Sequence, residues 1–216
     1  LPASMVRYEG LCFPDGKPSG LLYPDFVLEG VDITVTESMP LELGVDESYT
    51  LTVSTPRAAI TAKTQWGAIR ALETLSQLIM WQPDLYEPGT SYYNIHNTTL
   101  TITDFPRFPW RGMLIDSSRN YLTVAGIKRS LDAMSYVKYN TLHWHLVDDQ
   151  SWPLQSTSFP EFSKLGSYAP RAIYTAANVS DIVAYAWERG IRVVPEFDMP
   201  AHASIWGMAY PDLTIS

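Results

Sequence analysis

Two stretches of this sequence end in side chains that move protons and hold polar ligands. Leu142-His143-Trp144-His145-Leu146-Val147-Asp148-Asp149 is an apolar, strand-like run that closes on two carboxylates beside two histidines. Ile191-Arg192-Val193-Val194-Pro195-Glu196-Phe197-Asp198 has the same design and is followed by His202. A carboxylate that accepts from one imidazole nitrogen leaves the other nitrogen to orient and tune a third group, so Asp148 and His202 read as a pair serving an acid. Asp149 is adjacent to Asp148, points elsewhere, and reads as the anchor of a loop or helix terminus. His143 and His145 share one face of a strand, a spacing by which some hydrolases present a metal. Histidines beside a tryptophan in a buried strand are more often packed and hydrogen-bonded than metallated, so a metal site is the less favoured of the two uses. Arg119 follows a shorter run ending at Asp116. Its planar fork suits vicinal hydroxyls or a carboxylate, and the plainer alternative is a salt bridge to Asp116 or another nearby acid. Trp152, Phe159 and Trp206 fall just after strand ends, where a flat ring could stack on a sugar, although packing is the commoner use.

The elements that must position these groups follow from periodicity. Gly112 to Asp116, Thr141 to Val147 and Ile191 to Phe197 read as strands. Ile127, Leu131, Met134 and Val137 form one helix face between the first two, and Val179, Ile182, Val183 and Ala186 form another before the third, ended by Gly190. Such a βαβαβ order gives parallel strands, in either an open doubly wound sheet or a closed barrel. The residues after Asp116 are Ser117, Ser118 and Arg119 rather than a glycine-rich phosphate turn. Carboxylates at every strand end match a barrel whose site lies at the C-terminal rim, and the barrel is the expectation.

Upstream, alternation in Val31 to Thr36 and Tyr49 to Val53 predicts half-buried strands, with others near Ala59 to Ala62 and Thr98 to Ile102, able to form one antiparallel sheet. Thr64 reads as an N-cap, and Trp66, Ile69, Leu72, Leu75 and Ile79 recur at helical spacing up to a stop at Pro83. Pro14, Gly16, Pro18, Gly20 and Pro24 make the first 30 residues or so loop-rich. Asp104-Phe105-Pro106-Arg107-Phe108-Pro109 breaks regular structure and marks a domain junction near Pro106. The expected fold is thus an α+β domain over residues 1 to 105, followed over residues 106 to 216 by α/β, the first three βα units of a (β/α)8 TIM barrel, incomplete in this chain.

Composition narrows the partners. The 216 residues are 46% hydrophobic and 12% aromatic, ample for a packed core. A formal net charge of -8 and a pI near 4.9 disfavour nucleic acid, which is held by clustered Lys and Arg. No apolar run approaches the roughly 20 residues of a membrane-spanning helix. The first residues lack a basic-then-apolar leader, as expected of a mature chain, and the opening on Leu1 rather than Met suggests that something was removed before it. Asn97-Thr98-Thr99 and Asn178-Val179-Ser180 are glycosylation sequons suited to the secretory route, though such triplets also arise by chance. Cys12 is the only cysteine, a free thiol or half of a bridge to another chain.

Taken together, Arg111 to Arg119, Leu142 to Pro153 and Gly190 to His202 closely resemble the β-N-acetylhexosaminidases of glycoside hydrolase family 20. The likeness extends from about Asp46 to the end of the chain. Trp66 to Leu78 fits the helix of that family's small non-catalytic domain. Ala201 stands where a glycine is usual and Asn120 where a histidine is common. The resemblance implies hydrolysis of terminal N-acetylglucosamine or N-acetylgalactosamine with retention, the substrate's own acetamido oxygen serving as nucleophile, outside the ordinary two-carboxylate scheme. It implies that Arg119 holds the hydroxyls on C3 and C4, that Asp148 and His202 relay to the general acid, and that Asp198, Glu196 and His145 contribute to the sugar pocket. Neither metal nor cofactor is implied. The family's central Asp-Glu pair belongs to a later strand, beyond Ser216. A whole barrel takes about 250 residues, against 111 from Pro106 to Ser216, and the third strand would otherwise present an open edge. The expected partners are N-acetylhexosamine-terminated glycans, a C-terminal half of the barrel and, as one assembly, a second copy in a homodimer. The expected location is lysosomal or secreted, and the chain alone is expected to be inactive. Two other readings stand beside this one: a non-catalytic glycan-binding or scaffolding protein, and a metal-dependent hydrolase using His143 and His145.

Overall fold

A computed structural model describes residues 1–14, 16, 27–83 and 91–214. Pro18, Gly20 and Pro24 lie outside them. The chain divides into two compact units, Leu1–Pro109 and Trp110–Ser216.

In the first unit, β1 (Gly30–Glu37), β2 (Tyr49–Val53), β3 (Arg57–Thr64) and β6 (Leu100–Asp104) form one sheet in the order β1-β3-β2-β6. Strict alternation in β3 buries Ala58, Ile60 and Ala62 while exposing the residues between them. The sheet is mixed rather than antiparallel, because β1 runs parallel to β3 with Ile33 opposite Ile60. Periodicity assigns faces but not strand direction, so the expectation of one antiparallel sheet is corrected here. Thr64 caps α2 (Gln65–Leu78): its hydroxyl accepts from the N–H groups of Trp66 and Gly67, and the helix lays Trp66, Ile69 and Leu72 into the core. The helix ends at Leu78, short of the expected stop at Pro83. Met80–Pro83 is instead a strand, β4, paired antiparallel with β5 (Ser91–Asn94), Trp81 facing Tyr93 across the ladder.

The first twelve residues also depart from expectation. Pro2–Cys12 is a helix, α1, with Pro2 in the first turn. Tyr8 is buried and its hydroxyl donates to Glu73 of α2 at 2.8 Å. Tertiary packing, absent from any local pattern, stabilises so short a helix. Burial, with the charge of Glu73 adding to it, pushes the Cys12 thiol up to about 11, so it is an unreactive thiol near neutral pH.

The second unit is built on β7 (Gly112–Asp116), β8 (Thr141–Val147) and β9 (Arg192–Phe197), all parallel, in the order β7-β8-β9. Helix α3 (Val124–Tyr136) connects the first pair; α4 (Pro160–Gly166) and α5 (Ala176–Trp187) lie between β8 and β9. Leu142, Trp144 and Leu146 of β8 join a core with Ile127, Leu131 and Met134 of α3 and Ile182 and Ala186 of α5. Val137 and Val183, expected on those helix faces, are exposed: Val137 is the C-cap of α3, and Val183 is on the outer side of α5. Gly112 is required by close packing, since a Cβ there would stand 2.3 Å from the Thr141 carbonyl oxygen. Gly190 adopts a φ of 65°, the left-handed turn that leads from α5 into β9. Arg189 donates to Asp132 at 2.7 Å and its guanidinium lies over the Tyr185 ring, tying α5 to α3. The short helix α6 (Trp206–Ala209) follows β9. The described residues are thus mixed α/β with no closed barrel among them. The run Gly112 to Asp116, whose apolar residues predict a short buried strand, is only partly buried as β7, with Met113 and Leu114 exposed.

Candidate functional site at the strand ends

The parallel register aligns Asp116, His145 and Glu196 as one rung across β7, β8 and β9. Their side chains, with those of the residues just beyond each strand, converge. Glu196 Oε2 lies 2.5 Å from His143 Nε2 and 2.9 Å from His145 Nδ1. His145 Nε2 lies 2.8 Å from Asp148 Oδ2. The same Asp148 oxygen is 2.6 Å from Arg119 Nη2 and 3.4 Å from His202 Nδ1. His202 Nδ1 is nearer to Asp198 Oδ2, at 3.0 Å. The result is a continuous chain of alternating acids and bases.

A register shift places Asp148 in this chain. Alternation along β8 would send Asp148, three residues on, to the face opposite His145. Between His145 and Val147, however, β8 carries one more residue than β9 at the same stretch, and this irregularity re-aims Asp148 and its neighbours. Asp148 is 1% exposed and both of its oxygens are occupied, the second accepting the N–H of Asp149 at 2.6 Å. Burial pushes the Asp148 carboxyl up, but the hydrogen bond from His145, the Asp149 N–H and the charges of Arg119 and His202 outweigh it and hold the group below the usual carboxylate range. Hydrogen bonding from His145, helped by His143, likewise lowers Glu196 against a weaker effect of burial.

Arg119 is 41% exposed and held on three sides. Nη1 donates to Asp116 at 2.6 Å, Nη2 meets Asp148, and Nε donates to Gln150 at 2.9 Å. Three of its five N–H groups are thereby engaged, so each terminal nitrogen keeps one for a ligand. The sequence left a salt bridge and a ligand contact as alternatives; this geometry has room for both. Asp116 also accepts the backbone N–H groups of Ser118 and Arg119, fixing the turn that carries the arginine. Asp149 accepts the N–H of Ser204 at 2.8 Å and so anchors the loop ahead of α6.

Several supporting residues did not stand out in the sequence. Gln150 orients Arg119, and Ser118 and Ser151 each donate a hydroxyl to the other's carbonyl, at 2.9 and 2.7 Å, joining the loops after β7 and β8. Ser117 accepts from the Trp144 indole at 2.9 Å. Only their places beside Arg119 and Asp148 in sequence hinted at this. Trp152 stacks on Phe162 at 4.4 Å and packs against Trp206, while Phe159 packs against Phe162 and Tyr210. Those rings pack against one another. Asn97 is exposed, whereas Asn178 is the third residue of α5 and its amide oxygen accepts the Thr175 N–H in a capping box.

Two groups of ligand-type atoms, His145, Glu196 and Asp198, and Asp148, Asp198 and His202, each lie within 4.8 Å of one another. Both ring nitrogens of His145 already face carboxylate oxygens, and His143 is directed to Glu196, so a cation would have to displace those bonds to bind.

Residues 108–216 match the model of the glycosyl hydrolase family 20 catalytic domain, and residues 24–78 match a beta-acetyl hexosaminidase-like domain. The chain is 50% identical over 172 residues to the beta-hexosaminidase subunit alpha of Bos taurus, covering 79% of this chain and 31% of that protein. It is 40% identical over 210 residues to the beta-hexosaminidase subunit A1 of Dictyostelium discoideum, covering 97% of this chain and 38% of the relative. Among solved structures, a chitobiase of Flavobacterium johnsoniae superposes with a TM-score of 0.79 at 33% identity, covering 97% of this chain and 31% of that one. The N-acetyl-beta-hexosaminidase of Streptomyces plicatus, solved with Thio-NAglucal, gives 0.70 at 30% identity, covering 85% and 37%. The chain therefore spans about a third of the length of these relatives. With the catalytic-domain match extending over more than half of its residues, the chain belongs to glycosyl hydrolase family 20.

Proposed function

We propose that this chain supplies the sugar-binding and proton-relay side of a retaining β-N-acetylhexosaminidase. The enzyme would release terminal N-acetylglucosamine or N-acetylgalactosamine through attack by the substrate's acetamido oxygen. The observation that carries the reading is the convergence of Arg119, His145 and His202 on one carboxylate oxygen of Asp148 at the ends of parallel strands. The guanidinium keeps donors for two adjacent sugar hydroxyls. Behind it, Asp148 turns His202 toward a proton donor. Asp198 and Glu196 edge the same pocket, with His145 beneath them. The acetamido-orienting Asp and the proton-donating Glu would come from a further segment, as would the rest of a (β/α)8 barrel whose first three βα units are β7 to β9. Residues 1 to 105 would form the non-catalytic domain. N-acetylhexosamine-terminated glycans are the proposed substrates, and a lysosomal or secreted location is proposed from the sequons.

The test is hydrolysis of aryl N-acetyl-β-glucosaminide and aryl β-glucoside by the active protein that carries this chain. Cleavage of the first and not the second, with inhibition by a thiazoline mimic of the cyclised acetamido intermediate, supports the reading. Equal cleavage of both sinks the acetamido mechanism; sugar binding without turnover supports a glycan-binding role. Loss of activity on chelation, restored by a divalent cation, would transfer His143 and His145 to metal chemistry.

A further inference from the structure

The least exposed histidine of the cluster is the one with the most completely used ring. His145 is 6% exposed, and its two nitrogens lie 2.9 Å from Glu196 Oε2 and 2.8 Å from Asp148 Oδ2. A neutral imidazole carries one N–H and one lone pair. In this position its lone pair would face a carboxylate oxygen inside hydrogen-bonding distance, with little water to intervene. Two N–H groups satisfy both contacts, and the extra positive charge offsets carboxylates arriving from both sides.

We propose that His145 is a positioning residue, a buried imidazolium held between Glu196 and Asp148 that fixes the orientation and charge of Asp148 toward His202. This role rests on the hexosaminidase reading and differs from sugar contact. The surrounding groups fit. Asp116 projects from the neighbouring position of β7, His143 shares the Glu196 oxygen from the same strand, and Arg119 approaches Asp148 from the loop after β7. Asp198 and His202 close the remaining side. Burial pulls the His145 ring toward neutrality, but the hydrogen bonds to Glu196 and Asp148 and the charges of Glu196 and Asp116 outweigh it and raise its proton affinity. Asp148 Oδ2 is thereby pinned by His145 and Arg119 together. Without His145 the carboxylate keeps Arg119 and the Asp149 N–H but loses one of the two donors that pin Oδ2, and His202, which also faces Asp198, loses the firm Asp148 side of its setting.

Leaving-group dependence separates this role from a merely structural one, because a poor leaving group needs the acid and a good one does not. In the active enzyme, His145→Gln should lower kcat about 10- to 100-fold for a poorly leaving phenol, a share of the 10²–10⁴ that general acid catalysis supplies. A dinitrophenyl leaving group should lose only a few-fold, with KM little changed for both. Glu196→Gln, which keeps the side chain's shape, should move both substrates in the same direction by less. It stands in if His145→Gln fails to fold. Independently of turnover, nitrogen-15 NMR of the His145 ring should find both nitrogens still protonated at pH 7, where an ordinary imidazole, with a pKa of about 6.5, is mostly neutral. An equal loss for both leaving groups, or a neutral ring below pH 7, overturns the proposal. A wild-type enzyme that cleaves neither N-acetylglucosaminide overturns the hexosaminidase reading, whereas the NMR result still decides the protonation.

Discussion

The two units each contain an arginine held by acids, and the pairs serve opposite ends. In the first unit Arg70 Nε meets Glu47 Oε2 at 2.6 Å, the two side chains being 2% and 4% exposed. The pair is sealed within the packing that joins α2 to the segment before β2. In the second, Arg119 meets Asp116 and Asp148 at the same 2.6 Å, but at the end of a parallel sheet with its guanidinium partly open. Identical chemistry becomes scaffold where every face is covered and site where one is left uncovered. A buried pair contributes little net stability yet cannot lose one member, because the survivor is stranded in a poor solvent for charge. A half-open pair costs little to disturb, and what it loses is the ability to hold something else.

Substitutions on each side test that contrast. Arg70→Met should destabilise the first unit by about 3–5 kcal/mol, the cost of removing one member of a buried ion pair, read as a lower urea midpoint. Activity per folded molecule should be unchanged. Arg119→Lys should do the reverse, with unfolding nearly unaltered and kcat/KM down about 10²-fold or more, since a point charge cannot replace the fork and a lost transition-state donor costs on that order. Normal turnover in Arg119→Lys would remove the arginine from the site.

Stability against pH should also differ between the units. Asp116, Asp148 and Glu196 are held below their ordinary values, so their contribution is present above about pH 4 and fades as pH falls through their lowered values. His145 is raised, so its contribution is complete below about pH 6.5 and is lost as pH rises through its higher value. The strand-end cluster should therefore be firmest in mildly acidic solution. Hydrogen exchange of β8 and β9 amides at pH 5.5 and pH 8.5 measures this, and faster opening at the lower pH would contradict it. The smallest effect belongs to Thr175→Ala, which removes the cap of α5 and should cost about 1 kcal/mol without altering catalysis.

Much of this was legible in one dimension. β8 begins and ends at the residues its periodicity marks, Thr64 caps α2 as its position suggests, and the acids and histidines that gather after β7, β8 and β9 are those that stood out in sequence. The features that escaped depended on partners distant in the chain. Helix α1 needs Glu73 and the α2 surface to be worth forming, and β1 takes its parallel direction from pairing with β3. Gln150 became informative only once Arg119 was placed against it.

Residue types and spacing by themselves determined which groups are available for chemistry and that parallel strands carry them to one end, because side-chain alternation and helix periodicity are local properties of the chain. Which group meets which was decided in three dimensions. The Asp116, His145 and Glu196 rung exists only through interstrand register, and Asp148 reaches His145 only because an irregularity beside Leu146 cancels the alternation that would have separated them.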